Sequence, residues 1–161
     1  MIPFLMIAVA AASSAPAKPG AVEAVELCTQ VARPDSFNLE PLAAAGWSEG
    51  EIKDIDKAPG GAAANRLFTR DGAGAVIMLN INVEKAGHYC HVLTSGSRKF
   101  VDLFEMALVP SVGLPLKLTP GMTFYKTDGK PFIVSLSRKP NGKDVLADVM
   151  VMAFVPKEKA E

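Results

Sequence analysis

The chain reads as an α+β protein, a mainly antiparallel sheet of about six strands with helices packed against it. Three observations carry that reading. Apolar residues recur at helical spacing in two separate segments, the period changes to alternation from Arg66 onward, and short turns rich in glycine, asparagine and aspartate join the alternating segments. Such turns connect antiparallel neighbours, whereas parallel strands need a crossover of a dozen or more residues.

The first stretch, "MIPFLMIAVAAASSAPAKPG", holds no charge before Lys18, and Phe4 to Ala12 form an apolar run too short to span a bilayer. Small residues then converge on Ala15-Pro16-Ala17, which fits an A-x-A-like cleavage site. Residues 1–17 are therefore assigned as a secretory signal, 18–156 as one α+β domain and 157–161 as a frayed charged tail. No lysine or arginine precedes the apolar run, which departs from the usual signal pattern. The competing assignment is a buried N-terminal helix. Export places the protein in the periplasm or outside the cell, and no later stretch is long and apolar enough for a membrane span.

In "AVEAVELCTQVAR" the residues Val22, Val25, Cys28 and Ala32 share one side of a helix that Pro34 ends. "LEPLAAAGW" follows as a short helix, with Asn38 as N-cap, Gly46 as left-handed stop and Trp47 folding back onto the core. Three strands come next, "RLFTR", "AVIMLNIN" and "HYCHVLTS", joined at "DGAG" and "EKAG". Ile77 and Leu79 fall on one strand face, Met78, Asn80 and Asn82 on the other. Ser97 caps a helix whose Phe100, Leu103, Phe104, Ala107 and Leu108 form an apolar stripe and which Pro110 is expected to stop near Leu108. The segment from Pro110 to Gly121 reads as a long loop. Three further strands, "MTFYKT", "FIVSLSRK" and "DVLADVMVMAFV", are linked by "DGK" and "NG" hairpin turns. The last is apolar on both faces near its end, as expected of a central strand covered on both sides, with Asp148 the one interruption. The order is thus helix, short helix, three strands, helix, three strands. The halves share no residue-level similarity, so no duplication is inferred.

Lysine plus arginine number 17 and aspartate plus glutamate 17, so no basic surplus exists to neutralise a phosphate backbone, and nucleic acid is not expected as a partner. Charge is uneven along the chain. Lys18 to Asn65 carries four basic against eight acidic side chains, and Arg66 to Glu161 carries thirteen against nine, so the acidic segment is expected to lie on the basic remainder.

"GHYCHV", Gly87 to Val92, holds both histidines of the chain around Cys90. On an extended strand His88, Cys90 and Val92 point one way and Tyr89, His91 and Leu93 the other, so the two histidines do not share a metal. No C-x-x-C pair is present, and thiol redox chemistry is set aside. An exported chain with Cys28 on a buried helical stripe and Cys90 on a strand face is suited to one structural disulfide between them. His91 beside Tyr89 is then the candidate binding face. Other chemistry lacks its pattern: there is no G-x-S-x-G elbow, no S-x-x-K, no P-loop and no G-x-G-x-x-G, and Met78, Met106, Met122, Met150 and Met152 read as core filler rather than a copper site. No catalytic residue, metal or cofactor is assigned.

Two functions stand after this reading. One is a non-catalytic exported binding or accessory protein that meets an unknown ligand or another envelope protein. The other is an exported hydrolase-type enzyme using His91 or His88 with Asp148 or a serine brought close by folding. A histidine bonded to a carboxylate in a concave pocket favours the enzyme. Histidines on flat or buried surface favour binding.

Overall fold

The computed structural model describes residues 20–82 and 87–155, the side chains of Lys117 and Leu118 excepted. The stretch assigned from sequence as a signal, the C-terminal tail and most of the "EKAG" turn lie outside the described residues. Helix α1 (Gly20–Val31) leads through α2 (Glu40–Ala44) to β1 (Ser48–Gly50). A 3₁₀ turn (Ile55–Lys57) and α3 (Gly61–Ala64) follow, then β2 (Asn65–Thr69), β3 (Val76–Asn82) and β4 (Gly87–Gly96). Helix α4 (Arg98–Val112) opens the second half, which continues as β5 (Leu114–Thr119), β6 (Met122–Lys126), β7 (Phe132–Asn141) and β8 (Asp144–Ala153).

The strands form one antiparallel sheet of eight, not six, in the order β1-β2-β3-β4-β8-β7-β6-β5. Each half contributes a four-stranded meander, and within the sheet the two join where β4 pairs with β8. The two additional strands are the edges. β1 is three residues long with no alternating apolar pattern to mark it. β5 occupies what reads from sequence as the Pro110–Gly121 loop. Its Pro115 is compatible with a strand because β5 pairs with β6 alone, and the register shifts between Pro115 and Lys117 at a bulge.

Pro110 does not stop α4, which runs on to Val112. A proline in the last turn removes one backbone donor there, and the turn is held by Leu108 and Val112, both buried, and by Gly113 N–H donating to the Val109 carbonyl at 2.9 Å. Gly113 adopts φ 103°, and a Cβ there would overlap the Lys126 carbonyl, so glycine is required at this helix-to-strand corner. At the other end Ser97 accepts from Phe100 N–H, as the capping pattern predicts.

Helices α1 and α4 pack on one face of the sheet. Val22, Val25, Cys28 and Ala32, the stripe expected from sequence, join Val101, Phe104, Leu108 and Val112 of α4 against Ile77, Leu79, Val92, Val134, Leu136, Val149 and Val151. At about 1.5–3 kcal/mol per fully buried aliphatic side chain, this layer supplies the main drive to fold. Trp47 is buried beside it, its backbone N–H bonded to Leu42 carbonyl behind Gly46. The acidic N-terminal segment does dock on the basic remainder. Arg70 forks onto Glu23 at 2.7 and 2.8 Å while its guanidinium lies over the Trp47 ring, and Arg66 forks onto Glu49 at 2.6 and 2.7 Å.

Candidate functional site

The face of the sheet opposite α1 and α4 carries the sequence-predicted pair Tyr89 and His91. Strand alternation fixes this: Cys90, Val92 and Thr94 are buried toward the helices, so Tyr89, His91 and Leu93 project the other way. Register then aligns three rows across the sheet. The first is Leu67, Met78, His91, Met150, Ser135 and Phe124; the second is Asn65, Asn80, Tyr89, Met152 and Ile133; the third is Thr69, Val76, Leu93, Asp148, Ser137 and Met122. Six strands at about 4.8 Å spacing make this open face about 24 Å across.

Only one side chain in those rows carries a formal charge, Asp148, and it is paired. His91 Nδ1 lies 2.9 Å from Asp148 Oδ1, with side-chain exposures of 18% and 24%. The contact is diagonal, because His91 stands opposite Met150 and Asp148 opposite Leu93. A carboxylate can only accept, so Nδ1 donates to Asp148 and Nε2 is the ring nitrogen left free of that bond. Tyr89 sits beside it, ring centroids 6.4 Å apart. The carboxylate that interrupts the last strand is therefore the histidine's partner, and β8 is central in hydrogen bonding although the two long helices cover only one of its faces.

A carboxylate orienting a histidine is two-thirds of a hydrolytic triad. The third part is not assembled here: among the described residues no hydroxyl is bonded to His91, and Ser135 and Ser137 stand on β7, two strands away across β8. The larger hollows among the described residues do not take in the pair either. Neither His91 nor Asp148 lines the hollow of about 750 Å³ at the β6–β7 end or the one of about 590 Å³ between α4 and β6.

His88 lies on the helix-facing side, edge-on to Phe37 with centroids 5.1 Å apart, and its Nδ1 is buried without a partner among the described residues. The two histidines are thus on opposite faces, as strand alternation requires. Among the described residues no three His, Cys, Asp or Glu side chains are grouped to hold a metal ion.

Beneath the open face Cys28 and Cys90 are disulfide-bonded, Cα atoms 5.5 Å apart, which fastens α1 to the strand that carries Tyr89 and His91. Cys90 stands opposite Val151 of β8, so the bond anchors the helix at the seam between the meanders. Tyr125 is buried on the same side, its hydroxyl unpartnered among the described residues, and burial pushes its phenol up to about 12. The chain matches no known protein family, no curated protein and no solved structure.

Proposed function

We propose that the protein is an exported, non-catalytic binding or accessory protein that meets its ligand or an envelope partner on the open sheet face around Tyr89 and His91. The observation that carries the reading is that face itself. Its rows are apolar or neutral, rich in methionine, and contain a single acidic side chain, Asp148, which is hydrogen-bonded to the histidine beside it. Depletion of charge with enrichment of methionine and aromatic side chains is the composition of an interface centre, and methionine adapts to irregular partners. Export rests on the apolar run and the Ala15-Pro16-Ala17 pattern, with which a buried disulfide is compatible because such bonds persist in oxidising compartments. No helix of the described residues is long and apolar enough to cross a membrane.

One observation favours the second reading, an exported hydrolase: the 2.9 Å His91–Asp148 contact supplies an oriented general base. The open surroundings weigh against it, since acyl transfer needs a nucleophile at the base and donors for the developing oxyanion. Native mass spectrometry of protein purified from its host, alongside turnover of p-nitrophenyl esters, separates the two. Binding predicts a retained ligand or partner that is lost in the Tyr89→Ser/His91→Ala variant, with ester turnover no greater than that of His91→Ala. Ester turnover abolished equally by His91→Ala and Asp148→Asn would replace binding with hydrolysis.

A further inference from the structure

At the β5–β7 end the open face curves into the hollow of about 750 Å³. Leu116, Phe124, Ile133 and Phe154 line it. Three of these are among the exposed large apolar side chains of the described surface: Leu116 at 68%, Ile133 at 40% and Phe154 at 37%. Leu116 is turned out at the β5 bulge, and Phe154 is fixed beyond the end of β8 by its backbone N–H, which donates to the Pro131 carbonyl at 3.0 Å. A smaller hollow of about 380 Å³ adjoins across Pro131, Phe132 and Phe154 and is walled by Arg33. Both volumes fall in the range of about 300–1,000 Å³ usual for small-molecule sites.

The walls are apolar but the rim is cationic. Lys126 and Lys130 border the larger hollow and Arg33 the smaller, against one carboxylate among the described residues, Asp128, which lies 3.6 Å from Lys126. Arg33 donates to the Ala32 carbonyl at 3.0 Å and has no ion pair among the described residues. A guanidinium offers a planar fork matched to a carboxylate. An uncharged polar ligand would lose its hydrogen bonds against this lining, and a cationic one would meet like charge.

We infer that the paired hollows beside Phe154 bind a single-chain amphiphile with an anionic head, its apolar chain against Ile133 and Phe124 and its carboxylate at the Arg33 side. This site lies at the margin of the open face, where Phe124 and Ile133 end its rows, and neither Tyr89 nor His91 lines it. Calorimetric titration of the full chain with dodecanoate, below its micellar concentration, tests it, with dodecyltrimethylammonium and phosphatidylglycerol vesicles as the other arms. One dodecanoate is expected per chain, bound at least about tenfold more tightly than the cationic amphiphile of equal chain length. Ile133→Glu, at an exposed position that leaves the core intact, is expected to weaken dodecanoate at least about tenfold, and Arg33→Glu about fivefold. Tyr89→Ser should leave this affinity unchanged, which separates failure here from failure of the open-face reading. Equal affinity for both amphiphiles, indifference to Ile133→Glu, or association with vesicles alone would overturn the inference.

Discussion

Replacing both Cys28 and Cys90 by alanine removes the one covalent link between α1 and the sheet. The sulfurs close a loop with a sequence separation of 62 residues. In the chain-entropy treatment that length restricts the unfolded chain by about 4 kcal/mol at 25 °C, a large share of the about 5–15 kcal/mol by which a domain is stable. For a domain of this size, between the classes where 1 kcal/mol moves Tm by about 4–8 and about 2–4 °C, the expected fall is roughly 12–20 °C. Both cysteines are fully buried, so loss of packing adds to the effect rather than offsetting it. Urea unfolding followed by fluorescence of the single, buried Trp47 gives the measurement. The urea m-value should rise in the variant, because the freed unfolded chain exposes more surface. A double variant that unfolds within about 1 kcal/mol of the parent would refute the loop-closure reasoning.

Tyr125 is expected to weaken the fold in alkali. Its phenol is raised to about 12 from an unfolded value near 10, so its contribution is complete below about pH 10 and is lost as pH rises through about 12. Tyr125→Phe should flatten that loss and, by removing a buried unpaired hydroxyl, raise stability at pH 7 by about 1 kcal/mol in urea titrations. Glu23 is held below the usual carboxylate range by its hydrogen bonds to Arg70, so its stabilisation is present above the unfolded carboxyl pKa and is lost as pH falls through the lowered one. The pair is partly exposed, with side-chain exposures of 40% and 24%, and a double-mutant cycle with Glu23→Gln and Arg70→Met should return under about 1 kcal/mol, falling with salt. Arg70→Met alone should cost more than Glu23→Gln, because Arg70 also donates to the Ala45 carbonyl and lies over Trp47. Gly113→Ala forces a Cβ into the Lys126 carbonyl at φ 103° and is expected to cost at least about 3 kcal/mol by chemical denaturation.

Segments whose burial leaves a periodic mark are legible in this sequence. The α1 stripe, the alternation of β3, β4, β7 and β8, and the Ser97 cap follow from side-chain period and backbone chemistry, and the Cys28–Cys90 bond follows from two buried cysteines in a chain read as exported. What escapes is set by tertiary context. β1 and β5 are edges stabilised by a single neighbour, so neither needs an apolar alternation, and a proline that forbids a central strand is acceptable in β5. α4 passes Pro110 because packing at Leu108 and Val112 outweighs one lost hydrogen bond. The His91–Asp148 contact joins residues 57 apart in sequence, and only the pairing of β4 with β8 brings them together. Asp148 in an apolar strand is the visible signal, with His91 and His88 both candidate partners, and only the fold selects His91. The hollow beside Phe154 had no signal at all, since it is built from a bulge, a hairpin end and a strand terminus that are remote along the chain.

Both rims of the sheet are blunt. One is a tripeptide, and the other is notched by Pro115 and kinked by its bulge. A stray extended segment, whether from a nascent chain or a damaged neighbour, finds few free amides in line to latch onto, so lateral growth into fibrils has no ready starting template. On the binding reading proposed above, contacts with other molecules would fall on the broad neutral side rather than the margins.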